Sequence, residues 1–445
     1  MDWCNCVCKF FVLIAATALA SSACAQDGPY DPSFGDGGKT WIDVTPSLSD
    51  VGQRLITLPN GNLFMVGGCP HACAAWLTPL GALATGFGTS GTGTAAFPDF
   101  PGWPNDEYYG GSDAAAFADG RIAVPTRKEG GGYLTVLRAD GTGLDPAVGN
   151  GAGYVSPPFK PLYVRVTTQQ QLIIVGETLD APAALVVARY DSTLHLDTAF
   201  GSGGYRIVGF AEGNASPGGM TLQRDGRIAV IGTILGSTHS IFIVRLTAGG
   251  TPDPNFGVNS DGKFQSNFGN SYGANGNAIV EDKKGRLVIA GLAVTSASGQ
   301  SAEWLVNRLL GGGATDTSFN GGQPQQFTIV SSSTGNGPQA CCVALQSDNR
   351  IVVAGTMVRP GGTGYYFALS RFFDNGGFDP SFGGGGQSYG DMSSQAPNVL
   401  SDYPSSLVMV PGGMVVAGST SVTSNESRFS ATRVRIDLLF AADFE

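Results

Sequence analysis

An internal repeat constrains this chain more than any other feature of its sequence. One copy begins at Gln346 and runs through a turn and an apolar segment to Gly355, and another begins at Gln223 and ends at Gly232. The final position of this pattern recurs with a mean spacing of about 58 residues, at Gly67, Thr126, Gly176, Gly232, Gly291, Gly355 and Gly418. A period of this length indicates that each copy is one supersecondary unit of a repeat architecture.

Each copy predicts four short β-strands. The first two are separated by a two-residue turn such as Asn60-Gly61 or Asp225-Gly226, and these residue types tolerate the positive φ angles of a tight hairpin. The third strand is predicted to carry an arginine in most copies: Arg138, Arg189, Arg245, Arg308 and Arg371. An Asp-x-x-Phe-Gly stretch leads to the fourth strand, and no segment shows helical periodicity.

Four-stranded units repeated seven times predict an all-β, seven-bladed β-propeller, because radial repetition protects the edges of the sheets. The seventh copy ends without an Asp-x-x-Phe-Gly stretch, whereas an isolated one stands near the front of the chain at residues 31–35. We therefore expect the ring to be closed by residues 26–44, which would complete the last blade and remove its open edge.

The combination of Gln-x-Asp-Gly-Arg-Ile-x-Val-x-Gly with Leu-Asp-x-x-Phe-Gly resembles the delta-60 repeat proteins, a bacterial family of mostly exported β-propellers. The resemblance covers nearly all of the chain after residue 25. Individual copies depart from the pattern, with Val148 in place of the Phe, Ala84 in place of the Asp, and Gln169-Gln170 at one hairpin. The family implies a propeller in an envelope or extracellular setting, and it implies no defined reaction.

Residues 1–25 are predicted to be a signal peptide. The apolar run from Phe10 to Ala20 is too short to span a bilayer and is followed by Ala23-Cys24-Ala25, an A-x-A cleavage site. Cys24 would suggest a lipid anchor, but Ser21 stands where a lipoprotein signal usually has an aliphatic residue. We therefore expect an exported protein, extracellular or periplasmic, with residues 26–445 forming one propeller domain that does not span a membrane.

Four cysteines remain after the leader is removed: Cys69, Cys73, Cys341 and Cys342. Because an exported compartment is oxidising, the segment from Cys69 to Cys73 predicts a local disulfide rather than a metal site around His71. Cys341 and Cys342 are either free thiols or an adjacent-residue disulfide. Strict alternation along a strand would send their side chains to opposite faces, which favours free thiols.

Composition and motifs exclude several function classes. The chain carries a net charge of −10 and only 13% charged residues, so it lacks the basic surface that nucleic-acid binding requires. No catalytic motif, metal-ligand set or cofactor site is recognised. The Asp-x-x-Phe-Gly residues are predicted to be structural, with Asp capping its own turn and Phe packing between blades. They are Asp31, Phe34, Asp197, Phe200, Asp253, Phe256, Asp316, Phe319, Asp379 and Phe382.

One segment interrupts the repeat and concentrates aromatic residues, as a ligand-binding loop for sugars or peptides would. Its aromatic residues are Phe97, Phe100, Trp103, Tyr108 and Tyr109. Packing of these rings onto their own blade is the competing interpretation. In a propeller this loop shares one face with the other irregular connections, and variable loops on one face commonly mark the binding face.

These observations favour an exported, monomeric binding or scaffold protein for a protein or glycan ligand. The alternative is a secreted hydrolase or lyase that acts on a polysaccharide with acidic residues at the mouth of the channel. Propellers support both, so the fold alone does not decide.

Overall fold

The structure is a computed structural model, and every structural statement below concerns the residues that it describes. These are residues 30–46, 49–69, 71–97, 110–128, 130–297, 301–329, 339–359, 364–392, 401–423 and 426–436.

Seven antiparallel sheets of four strands each confirm the predicted seven-bladed propeller. The outer strand of blade 7 is β1 (Lys39–Ile42). Blade 1 contains β2 (Val51–Thr57), β3 (Leu63–Cys69), β4 (His71–Leu77) and β5 (Thr94–Ala96). Blade 2 contains β6 (Ala115–Ala116), β7 (Ile122–Lys128), β8 (Gly131–Leu137) and β9 (Tyr154–Val155). Blade 3 contains β10 (Lys160–Val166), β11 (Leu172–Glu177), β12 (Leu185–Tyr190) and β13 (Tyr205–Val208).

The remaining blades follow the same order. Blade 4 contains β14 (Asn214–Leu222), β15 (Ile228–Leu235), β16 (Ser240–Leu246) and β17 (Lys263–Ser266). Blade 5 contains β18 (Ala274–Glu281), β19 (Leu287–Val294), β20 (Ala302–Leu309) and β21 (Gln325–Phe327). Blade 6 contains β22 (Ala340–Leu345), β23 (Ile351–Val358), β24 (Tyr365–Phe372) and β25 (Gln387–Gly390). Blade 7 contains β26 (Ser401–Val410), β27 (Gly413–Ser421) and β28 (Ser427–Arg435), together with β1.

Ring closure by the N-terminal strand is confirmed. β1 pairs antiparallel with β28, with Lys39 opposite Thr432 and Ile42 opposite Phe429. Phe34, which precedes β1, is fully buried in a cluster that joins blade 7 to blade 1. The first and last blades are therefore joined both by main-chain hydrogen bonds and by apolar packing.

The core lies between neighbouring blades rather than at a single centre. Each apolar cluster takes side chains from two adjacent sheets, as where Val230 and Phe242 of blade 4 meet Val175 and Val187 of blade 3. The second and third strands are buried on both sides because a blade lies against each of their faces. This explains why their sequences read as nearly continuous apolar runs.

The propeller has two chemically different faces. The turns between the first and second strands, and between the third and fourth strands, lie on what we call the hairpin face. The turns between the second and third strands, and the connections from blade to blade, lie on the opposite face, which we call the variable face.

The first strand of each of six blades is interrupted at one place by a β-bulge. The bulged residues are Gln53, Leu162, Gly218, Asn277, Cys341 and Ser405. The register partner of the residue before each bulge is the glycine that ends the apolar run of the repeat, such as Gly291 opposite Gly276. A bulge adds one residue to a strand and re-aims its side chains, here at the innermost strand of each blade.

Within the described ranges, no helix is both long enough and apolar enough to cross a membrane.

Candidate ligand site in the central channel

The innermost strands of all seven blades surround an axial cavity of about 630 Å³. This volume lies within the ~300–1,000 Å³ range of small-molecule sites. Its walls are formed largely by the bulged residues and the residues that follow them, so the bulges determine which side chains face the channel.

Several bulge-position side chains hydrogen-bond to the next blade. Ser405 Oγ of blade 7 donates to the carbonyl of Gly52 in blade 1 at 2.8 Å. Ser112 Oγ donates to Leu162 O at 2.7 Å, and Asn277 Nδ2 donates to Ala340 O at 2.8 Å. These bonds join blade 7 to blade 1, blade 2 to blade 3 and blade 5 to blade 6, and they use donor groups of side chains that also line the cavity.

Charged residues from the first three blades meet on one side of the channel. The carboxylate of Asp113 lies 3.0 Å from Nε of Arg54 and 2.6 Å from Nη1 of Arg165. Asp113 Oδ2 also accepts a hydrogen bond of 3.0 Å from the main-chain N–H of Val164. Asp113 is 1% exposed, whereas the Arg54 side chain keeps 30% of its surface accessible. The Asp113 carboxylate is thus held from several sides, while Arg54 remains open to the cavity.

Burial shifts the pKa values of Arg54 and Tyr163, which lie beside Asp113. Burial is the largest effect on the pKa of Arg54 and lowers it, although the Asp113 carboxylate opposes the change. Burial, together with the negative charge of Asp113, raises the pKa of Tyr163 to about 12. Tyr163 is therefore a neutral phenol at physiological pH, and its hydroxyl donates a long hydrogen bond of 3.4 Å to Pro217 O.

The rest of the cavity wall includes small residues and a disulfide. Gly218 and Gly219 of blade 4 lie beside blade 3, whereas Cys341 and Cys342 of blade 6 lie across the axis. In a ring of seven, blade 6 lies across the axis from blades 2 and 3. The charged side therefore faces a wall with no charged side chain among the described lining residues of blades 4 to 7.

The structure differs from the expectation that Cys341 and Cys342 are free thiols. They form a disulfide between adjacent residues, with their Cα atoms 3.8 Å apart. The expectation assumed strict alternation along the strand. The register shifts between Ala340 and Cys342, so alternation fails at the bulge and the two side chains are no longer sent to opposite faces.

The cavity continues toward the variable face. A smaller hollow of about 190 Å³ shares Gln53, Ser112, Tyr163 and Pro217 with it. The added lining comes from the variable-face ends of strands, including Arg127 and the Lys160–Glu177 ion pair, which is 2.8 Å long. The part of the channel nearest the variable face is therefore lined by polar and charged side chains.

The predicted aromatic loop falls mostly outside the described residues. Phe100, Trp103, Tyr108 and Tyr109 are not among them. Phe97 is 4% exposed and packs in the cluster between blades 1 and 2, where its N–H donates to Ala72 O at 2.8 Å. Phe97 thus belongs to the core rather than to a surface.

Cys69 and Cys73 are joined by a disulfide in the structure, with their Cα atoms 5.8 Å apart. They lie at the variable-face ends of β3 and β4, where Gly67 pairs with Cys73 and Cys69 pairs with His71. The two disulfides are separate, and each links residues of a single blade.

The Asp-x-x-Phe-Gly residues lie on the hairpin face, away from the channel site. Asp379 accepts a hydrogen bond of 3.0 Å from Ser381 N and lies 2.8 Å from Nε of Arg371, whose guanidinium stacks on Phe382. Burial alone would raise the pKa of Asp379, but its hydrogen bonds and the two nearby arginines hold that pKa below its ordinary value. We call this arrangement the Arg–Asp–Phe unit.

The same unit recurs with different neighbours around the ring. In four other blades an arginine Nε lies within 3.3 Å of the aspartate, in the pairs Arg189–Asp197, Arg245–Asp253, Arg308–Asp316 and Arg433–Asp31. The phenylalanines Phe34, Phe200, Phe256, Phe319 and Phe382 are at most 3% exposed.

The prediction that Arg138 belongs to this set is wrong. Asp145 N donates to Val136 O, as Asp379 N does to Arg371 O, so Val136 occupies the arginine position of blade 2. In blade 1 the same hydrogen bond runs from Ala84 to Trp76, so both charged members of the unit are replaced there.

Sequence reasoning missed the cluster of Arg54, Asp113 and Arg165. The signal was present, because Arg54 follows the bulge of β2 and Asp113 stands at the corresponding place before β6, where other copies carry Gly219, Ala278 or Cys342. Aligning copies on the repeat glycine does not reveal this, since the bulge shifts which inner-strand residue faces the axis. The observed register was needed to place these residues.

Comparison with known families gives a match to the β-propeller model described as "Domain of unknown function (DUF5122) beta-propeller" at residues 223–256 and 346–382. Each matched segment begins at the glutamine before the first hairpin and ends at the phenylalanine of the Arg–Asp–Phe unit, in blades 4 and 6. The match supports a β-propeller repeat family. The search of curated proteins found no match to the chain.

Solved structures with a similar arrangement have diverse descriptions. A protein of unknown function from Dyadobacter fermentans is 12% identical with a TM-score of 0.45, over 90% of this chain and 98% of that one. A PQQ-bound aldose sugar dehydrogenase from Streptomyces coelicolor is 11% identical with a TM-score of 0.40, over 72% and 93% of the two chains. A gluconolactonase from Xanthomonas campestris is 12% identical with a TM-score of 0.36, over 74% and 90%. At these identities and scores, the likeness carries no argument about function.

Proposed function

We propose that this chain is an exported binding protein whose ligand occupies the axial cavity and enters from the variable face. The observation that carries the proposal is the partly satisfied cation in the channel. Nε of Arg54 lies 3.0 Å from Asp113 Oδ1, and among the described residues no group accepts a hydrogen bond from the Arg54 guanidinium. A cation that lines a cavity and keeps unused donors is suited to a polar ligand.

Binding is favoured over hydrolysis by the state of the acidic residues. Among the described residues that line the cavity and its mouth, the carboxylates are Asp113 and Glu177. Asp113 is held by two arginines, and Glu177 is paired with Lys160. Glycoside hydrolysis uses one carboxylic acid as a proton donor and a second carboxylate as base or nucleophile. Because Asp113 and Glu177 are each held in ion pairs, neither is placed to act as the proton donor or as the base or nucleophile.

Export and family membership are part of the same proposal. Residues 1–25 act as a signal peptide, residues 26–445 form a single propeller domain that is monomeric, and the repeats belong to the delta-60 class. Support comes from the apolar leader sequence, from the two disulfides, which suit an oxidising compartment, and from the match to a propeller repeat model.

The test combines a binding screen with an activity screen on the protein purified from the exported fraction. We expect binding to a glycan or protein on an array, no turnover of polysaccharides, and loss of binding in Arg54→Gln. Arg138→Gln is the matched control, because Arg138 is exposed on the hairpin face and bonds Thr142 within its own turn. Polysaccharide turnover that Asp113→Asn abolishes would overturn the proposal in favour of the enzyme alternative.

A further inference from the structure

We propose that the ligand of the axial cavity is a small hydroxylated carboxylate of the sugar-acid class. Its carboxylate binds Arg54, and its carbon skeleton lies toward the Cys341–Cys342 disulfide. This inference rests on the proposed binding function and adds the chemical class of the ligand.

The charge of the site selects an anion. In the cavity, two arginines and one aspartate leave one positive charge, and Arg127 adds another at the mouth, where Lys160 and Glu177 cancel each other. This positive pocket lies in a chain with a net charge of −10. Arginine binds carboxylates through paired N–H donors, and no group in the described part of the chain accepts from the terminal nitrogens of Arg54. A carboxylate would satisfy those donors and neutralise the excess charge.

The remaining polar groups of the wall select hydroxyls. The hydroxyl hydrogens of Ser112 and Ser405 are donated to main-chain carbonyls, and so is an amide hydrogen of Asn277. The two serines retain oxygen lone pairs, and Asn277 retains Oδ1 as an acceptor and its second amide N–H as a donor. A ligand that supplies several O–H donors matches such a wall, whereas a simple aliphatic acid does not.

The rest of the cavity wall accommodates a carbon skeleton. Gly218 and Gly219 present no side chain that would fill the space, and the disulfide-bonded Cys341 and Cys342, the latter 7% exposed, add lining with weak hydrogen-bonding capacity. Because blade 6 lies across the axis from blades 2 and 3, which carry Asp113 and Arg165, a ligand that binds this charged side extends toward the Cys341–Cys342 disulfide. The cavity of about 630 Å³ accommodates a sugar acid.

The experiment is isothermal titration calorimetry of the mature protein with D-galacturonate, D-glucuronate and D-gluconate. Galactose and methyl galacturonate remove the negative charge, and acetate removes the hydroxyls. We expect at least one sugar acid to bind, with affinity reduced at least tenfold for its neutral counterparts and for acetate. Arg54→Gln should reduce affinity by a similar factor, while Arg138→Gln should leave it unchanged. The comparison of ligands on the wild-type protein uses no variant, so it tests the proposal even if Arg54→Gln fails to fold.

The Cys341→Ala/Cys342→Ala double variant tests whether the disulfide in the cavity wall contributes to ligand binding. We expect it to weaken sugar-acid binding severalfold while binding retains its dependence on the carboxylate. Neutral sugars that bind as tightly as the acids, in a manner that Arg54→Gln reduces, would overturn the ligand class and leave the binding site standing. The absence of channel-dependent binding to any glycan or protein in the wider screen would overturn the binding function itself.

Discussion

At the scale of single residues, the glycine that ends each apolar run is required by a close backbone approach rather than by an unusual φ angle. A Cβ atom on Gly291 would clash with the carbonyl oxygen of Asn275, and the equivalent glycines of five other blades meet an equivalent carbonyl. The bulge on the first strand brings this carbonyl close. Blade 2 has Thr126 at this position, and its first strand is reduced to the two residues of β6. The blade that lacks this glycine is therefore also the blade with the shortest first strand.

Gly291→Ala should destabilise the protein by about 1–3 kcal/mol, because the clashing atom belongs to the main chain and the bulge would have to shift. The measurement is the free energy of unfolding from urea denaturation. Gly209→Ala is the matched control, since a Cβ on Gly209 meets nothing within 4 Å and its φ is not in the left-handed region. Equal, small effects of the two substitutions would contradict this explanation of the repeat glycine.

At the scale of single elements, β1 has a role that no other fourth strand has. It comes from the opposite end of the chain, and its pairing with β28 leaves no open edge in blade 7. Thr40 Oγ1 also donates to Gly81 O of blade 1 at 2.7 Å, and Thr432 Oγ1 donates to Gly38 O at 3.0 Å. Closure therefore depends on contacts to two blades.

Deleting residues 26–44 from the mature protein should expose the edge of β28 and remove Phe34 from the core between blades 7 and 1. We expect aggregation or a loss of cooperative thermal unfolding. A protein that begins at residue 30 keeps β1 and is the control. A deletion variant that melts like the wild-type protein would show that the ring does not depend on this strand.

The sequence predicted the elements better than the site, for a physical reason. Turn residues such as Asn60-Gly61 and the spacing of the repeat are local signals, and they were sufficient to predict four strands per blade, the number of blades and the closing strand. The channel wall depends on the bulge, which changes the side-chain direction at one residue. Arg54 and Asp113 are 59 residues apart in the sequence, and the packing of blade 2 beside blade 1 brings them into contact.

At the scale of the whole molecule, the hairpin face holds the ring together through charge, blade by blade. Arg189 Nη1 of blade 3 donates to Ala248 O of blade 4 at 2.8 Å, and Arg308 Nη1 of blade 5 reaches Asp374 Oδ1 of blade 6 at 2.8 Å. Between blades 1 and 2 this link is apolar instead. Trp76 takes the arginine position there, and a Cβ on Gly141 of blade 2 would clash with its ring, so the two are in close contact.

This difference predicts how the ring responds to acid. Burial opposes ionisation of Asp253, Asp316 and Asp379, but hydrogen bonds and arginines hold the pKa of each below 3.8, its ordinary value. A lowered folded-state pKa adds stability that is fully present above 3.8 and is lost as the pH falls through the folded pKa. Blade 1 has Ala84 in place of this aspartate, so its link to blade 2 does not contain that titrating group.

Hydrogen–deuterium exchange at neutral pH and at about pH 2.5, corrected for intrinsic rates, should separate the two kinds of link. We expect residues 253–262, 316–324 and 379–387 to lose protection in acid, while residues 84–93 change little. Asp379→Asn should give residues 379–387 faster exchange at neutral pH and little further change in acid, because the titrating group is gone. Uniform loss of protection around the ring, or earliest loss in blade 1, would show that these ion pairs do not set the local stability of the hairpin face.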